Sequence, residues 1–202
     1  DEEHSDDEHS DEEHSDDEHD GHDHSGDDPH FFTDPMRMAA AVDAMVDFLQ
    51  AEVAFADPTA VEASAEAYVA ELTALDGEVV ALVEVIPEER RVLVTNHEVF
   101  GYFADRYGFE VVGAVIPSGS TTDGVSAAEL DELAKVIEAE GVPAIFSDTS
   151  SSDDLIEVLS GEVGDVAVVE LYSESLGEPG SDGATYVEMV RTNAERMSSA
   201  LA

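Results

Sequence analysis

Residues 91–116 read RVLVTNHEVFGYFADRYGFEVVGAVI. The opening RVLVT (91–95) is mostly apolar and β-branched, which predicts a strand. VFGYFADRYG (99–108) has helical spacing and a glycine to stop it, and EVVGAVI (110–116) predicts a second strand. Downstream the alternation continues. SAAELDELAKVIEAEG predicts a helix stopping at Gly141, PAIFSD (143–148) a strand, and SSDDLIEVLSG a helix. DVAVVEL (165–171) predicts a fourth strand and ATYVEMVRTNAERMSSALA a closing helix. Strands rich in Val, Ile and Ala between amphipathic helices predict an α/β fold: a four-stranded parallel sheet with helices on both faces.

Upstream, Asp34-Pro35 predicts a helix start, because aspartate caps and proline fits the first turn. That helix runs through MRMAAAVDAMVDFLQ. After Asp57-Pro58 a longer helix is predicted over 59–86, with Val61, Ala65, Tyr68, Leu72, Leu75, Val79, Leu82 and Val83 near helical spacing. Its length suggests a strut between two lobes.

In parallel α/β sheets, ligands bind where loops leave the carboxyl ends of the strands. The first strand ends in Thr95-Asn96-His97-Glu98 and the second leads into PSGSTTDG (117–124). The third ends in Ser147-Asp148-Thr149 and the fourth in Leu171-Tyr172-Ser173-Glu174-Ser175. His97 and Glu174 therefore belong to one rim, and imidazole with carboxylate suits zinc or manganese.

The chain opens with DEEHSDDEHSDEEHSDDEHDGHDHSGDD, built on a repeated ten-residue unit. His4, His9, His14, His19, His22 and His24 lie there among acids and serines, leaving only His30 and His97 elsewhere. A five-residue spacing spirals histidines around a helix, and no apolar residue occurs before Phe31 to offset the entropy of ordering. Residues 1–28 read as a disordered acidic tether with weak, exchanging metal sites.

Fifty acids face seven bases, a formal charge of −43. Beyond residue 28 there are still 34 acids against the same seven bases. Such a surplus repels itself at low ionic strength, and with a single lysine, Lys135, it reads as adaptation to molar salt. Nucleic acid is a poor partner for this surface. Without cysteine, disulfides, thiolate metal sites and thiol catalysis are excluded. No apolar run is long enough to span a bilayer.

Four stretches together resemble a known family. DPHFFTDPMRM (28–38), VTNHEVFGYFADRYGFEVVG (94–113), LYSESLG (171–177) and GATYVEMVRTNAERMSSAL (183–201) are similar, in this order, to segments of the cluster A-I solute-binding proteins of zinc and manganese ABC transporters. An acidic, histidine-rich insert before the first segment resembles the zinc-selective branch. The resemblance implies that His30 is a metal ligand from one lobe, and that His97 and Glu174 are ligands from the other. It implies a transported Zn2+, with Mn2+ as the alternative, and a membrane permease as partner. It places the protein outside the cell membrane, held by a lipid anchor outside this chain. Histidine at 97, where manganese members carry glutamate, leans toward zinc. Glu174 departs from the more usual aspartate, and an earlier family histidine falls before this chain begins.

On that frame, 1–28 is the His-rich loop, 29–58 the end of a first lobe, 59–87 the interdomain helix and 88–202 the second α/β lobe. Rival readings are a zinc buffer or metal-dependent adhesin, in which the tail does the work, and an enzyme. A metallohydrolase on His97, Asp148 and Glu174 lacks a positioned base, and no G-x-S-x-G, Walker or G-x-G-x-x-G motif occurs, so the expectation is a non-enzyme.

Overall fold

The computed structural model describes residues 28–55, 57–116, 126–150, 154–164 and 166–202. The tail histidines His4, His9, His14, His19, His22 and His24 and the loop 117–124 lie outside these residues.

Among the described residues, four strands form one parallel sheet: β1 (Val92–His97), β2 (Glu110–Ile116), β3 (Ala144–Asp148) and β4 (Ala167–Leu171), in the order β2-β1-β3-β4. The register pairs Thr95 with Ala114 on one side and Phe146 on the other, and Asp148 with Leu171. From β1 the chain turns one way to β2 and then crosses to the opposite side for β3. The carboxyl ends of β1 and β3 thus flank the point where strand order reverses, the favoured ligand position in open α/β sheets.

Among the described residues, six α-helices accompany the sheet: α1 (Pro35–Glu52), α2 (Pro58–Val83), α3 (Gly101–Tyr107), α4 (Ala127–Glu140), α5 (Asp154–Val163) and α6 (Tyr186–Leu201). Strand residues alternate between faces, as the two-residue period requires. Val92, Val94 and Ile145 join the core formed with α4 and α5, through Leu130, Ile137, Ile156 and Leu159. Leu93, Ala144, Phe146 and Leu171 join the other core, formed with α2, α3 and α6 through Leu75, Phe103 and Met197. The predicted two-sided sheet is what the chain forms.

Helix ends follow local chemistry. The Asp34 side chain accepts the Met36 backbone N–H at 2.8 Å with Pro35 in the first turn, and Asp57 accepts from Ala60 at 3.1 Å. Ser126 and Thr185 open α4 and α6 with reciprocal capping boxes to Glu129 and Glu188. Gly108 and Gly141 stop α3 and α4 at φ of 71° and 63°, where a Cβ is strained. Several boundaries differ from expectation by a few residues, two of them with a clear consequence or cause. β1 continues through His97 rather than ending at Thr95, so the histidine is itself the last strand residue, paired with Ile116. α2 ends at Val83 rather than 86, because Pro87 disfavours helical backbone at the residue before it.

The C-terminal half of α2 is built into the sheet's core. Leu72, Leu75, Val79 and Val83 are all buried there, and both α1 and α6 pack against α2.

Candidate metal centre

The two non-tail histidines arrive by separate routes. His97 closes β1, where the Thr95 hydroxyl donates to the His97 carbonyl at 2.8 Å and the Val99 N–H donates to it at 3.0 Å. His30 precedes a single 3₁₀ turn, Phe31–Thr33, whose Thr33 N–H and hydroxyl both donate to the His30 carbonyl at 3.0 Å. That turn is fastened to the sheet lobe from two sides. The Tyr186 hydroxyl of α6 donates to the Phe32 carbonyl at 2.7 Å, and the Tyr102 hydroxyl of α3 donates to the Asp28 carbonyl at 3.2 Å.

Glu174 stands in the loop after β4. Buried Asn193 of α6 brackets Tyr172, accepting its N–H at 2.9 Å and donating to its carbonyl at 2.7 Å. Asp148, at the end of β3 and only 2% exposed, takes the next two residues. Its Oδ2 accepts the backbone N–H groups of Ser173 at 3.2 Å and Glu174 at 3.3 Å, and the Ser173 hydroxyl as well. Its Oδ1 accepts the Ser150 N–H at 2.6 Å and the Ser150 hydroxyl. Burial alone raises a carboxyl pKa; here it is outweighed by these bonds, which hold Asp148 below the usual aspartate range and ionised.

The result is a three-donor cluster. His97 Nε2 donates to Glu174 Oε1 at 2.7 Å, and His30 Nε2 lies 3.5 Å from that same oxygen. The imidazole planes are 74° apart with centroids separated by 6.0 Å. One donor atom from each of His30, His97 and Glu174 lies within 4.8 Å of the others. Both imidazoles are half-buried while the carboxylate is exposed. Tetrahedral zinc with donors at about 2.1 Å has donor–donor edges of about 3.4 Å. The His30–Glu174 edge already has that length, and the shorter His97–Glu174 edge is a hydrogen bond that a cation would open and replace.

The sequence reading assigned Asp148 to a hypothetical hydrolase; the structure gives it the backbone of the Glu174 loop. Asp28 was read only as part of a motif, yet its carboxylate bonds the His30 ring. A buried acid at a strand end followed by hydroxyl residues was the available signal for Asp148. None pointed to Asn193, whose role depends on where α6 packs.

A parallel α/β lobe with two imidazoles and a carboxylate converging on its carboxyl rim defines a class of divalent-metal-binding architecture. Comparison with known proteins narrows this. Residues 2–200 match the family described as zinc-uptake complex component A, periplasmic, and the chain belongs to that family. It is 40% identical over 142 residues to the zinc-binding protein TroA of Treponema pallidum, covering 68% of this chain and 46% of the relative. It is 33% identical over 180 residues to the manganese-binding lipoprotein MntA of Bacillus subtilis, covering 86% of this chain and 58% of the relative. The solved structure of the T. pallidum periplasmic zinc-binding protein superposes with a TM-score of 0.74 at 34% identity, over 87% of this chain and 64% of that one. The chain spans about half the length of these curated relatives.

Proposed function

We propose that this chain forms the metal-holding part of an extracytoplasmic solute-binding protein that captures zinc and delivers it to an ABC permease. The observation that carries the reading is the convergence of His30, His97 and Glu174 on one point. Two neutral imidazoles favour zinc over the harder manganese ion, and a single carboxylate partly neutralises it. Three donors leave one position of a tetrahedral shell for water or a further donor. The cation would tie the 28–34 segment to the sheet rim, and that bridging contact lets a permease tell loaded from empty protein.

Within this reading, 29–58 belongs to a first lobe, 59–87 is the interdomain helix, 88–202 is the metal-binding lobe and 1–28 is a loop that raises local zinc through its histidines. Periplasmic and lipoprotein relatives support a place on the outer face of the membrane with a lipid anchor. No helix among the described residues is long and apolar enough to cross a bilayer. The metal is cargo, and the family is one of transport components rather than enzymes.

The test is a zinc titration of the full chain in molar potassium chloride against a tight chromophoric chelator. One tight zinc per chain is expected, lost in His97→Ala and outcompeting manganese. Tight binding that survives His97→Ala would move capture to the tail and sink the cleft reading.

A further inference from the structure

We propose that Asp28 is a positioning residue of this centre, holding His30 in the tautomer and orientation that aim Nε2 at Glu174. The inference rests on the metal-site reading above. Asp28 Oδ1 accepts twice from the same residue, from the His30 backbone N–H at 2.9 Å and from ring Nδ1 at 2.6 Å. A carboxylate only accepts, so the proton of a neutral ring sits on Nδ1 and Nε2 is left with its lone pair. That bare nitrogen is the atom 3.5 Å from Glu174 Oε1. Without Asp28, a neutral imidazole in water populates both tautomers, and the ring can turn about its side-chain bonds.

Asp28 is itself held. Its carbonyl accepts the Tyr102 hydroxyl at 3.2 Å, and the Arg37 guanidinium stacks on the Tyr102 ring at 4.1 Å. Its second carboxylate oxygen lies over Gly101, where a Cβ would sit 3.3 Å away. Gly101 and Tyr102 open α3 only four and five residues after His97. One short helix thus begins just after the strand-end histidine and, through Asp28, holds the orientation of the other. Outer carboxylates that bond the far nitrogen of a ligand imidazole are worth about 10- to 100-fold in metal affinity. The lone alternative for Asp28 is a local turn with no consequence at the ring.

The experiment uses the full chain with nitrogen-15-labelled histidine at about pH 8. The His30 signals are assigned by their loss in His30→Gln. In the parent, His30 is expected to show a protonated Nδ1 and a bare Nε2. Asp28→Ala should give a tautomer mixture and weaken the tight zinc site, titrated with zinc chloride against a chelator, by about ten-fold or more. Asp28→Asn keeps an acceptor oxygen without charge, so it should retain the tautomer and lose only part of the affinity. In a His30→Gln background, Asp28→Ala should change zinc affinity no further. An Asp28→Ala protein with the parent's tautomer overturns the proposal. So does an affinity loss of equal size in the His30→Gln background. A parent chain without a tight zinc site would defeat the functional reading, and the metal-free tautomer would still decide on Asp28.

Discussion

Glu174 is useful only where its backbone puts it, and Asp148 makes that decision. One buried carboxylate accepts the N–H groups of Ser173 and Glu174 and so joins the ends of β3 and β4. Asp148→Ala strands those donors in a buried place, which should cost about 1–3 kcal/mol of stability by chemical denaturation. Zinc affinity should fall with it, and that second loss should vanish in a Glu174→Ala background; persistence there would show that Asp148 acts only through the fold. Length matters as well as charge. Glu174→Asp withdraws the carboxylate by one methylene from imidazoles that now reach it at 2.7 and 3.5 Å, so tight zinc binding should weaken. Unchanged affinity would mean the loop follows the shorter side chain. At Gly183 a Cβ would overlap the Tyr172 ring, so Gly183→Ala should destabilise by about 1–3 kcal/mol, read as a lower melting temperature.

Three helices meet at Arg106 of α3. Its guanidinium forks onto Asp76 of α2 at 2.6 and 2.8 Å, and its Nε also lies 3.4 Å from Asp34, the cap of α1. The Tyr107 hydroxyl donates to Asp76 at 2.8 Å, and burial with that bond pushes its own pKa up. The Arg106 bond is the main reason the Asp76 carboxyl sits below the ordinary aspartate range, desolvation opposing it. A carboxyl whose folded pKa is depressed lends stability that is present above its unfolded value, about 4, and is lost as pH falls through the folded value. Acidification below about pH 4 should therefore erode the parent's stability more steeply than that of Asp76→Asn. Denaturation in urea across that range, at fixed high salt, measures it; parallel curves for the two proteins would remove Asp76 from the acid response.

For the molecule as a whole, charge dominates. Each of the seven basic residues has a specific partner: Arg191 pairs with Glu78 between α6 and α2, Arg196 with Asp182, and Arg90 and Arg91 hold backbone carbonyls. Arg37 pairs with Asp34 and Lys135 with Asp131. Arg106, Arg191 and Arg196 join separate elements, and the surplus of acids leaves a formal charge of −43. Salt shortens the reach of that repulsion, from about 10 Å at 0.1 M to about 3 Å at 1 M. The urea midpoint should rise steeply with potassium chloride into the molar range. A flat or falling response would reject adaptation to high salt.

Local chemistry in the chain determined most of the architecture. The strand–helix alternation, the Asp-Pro caps, the glycine stops and the two-sided burial of strands depend on residues near one another. They were therefore legible from spacing alone. His97 was legible for the same reason, as the residue at the end of a predicted strand. Glu174, one acid among fifty, stood out only through its strand-end position and the family resemblance. What only the tertiary structure decided was which distant groups meet. That His30 reaches the Glu174 carboxylate, 144 positions away, follows from Tyr102 and Tyr186 fastening the 28–34 segment and from Asn193 and Asp148 holding the loop. Such contacts are set by how α3 and α6 pack on a parallel sheet, and side-chain packing carries no periodic signature in the order of residues.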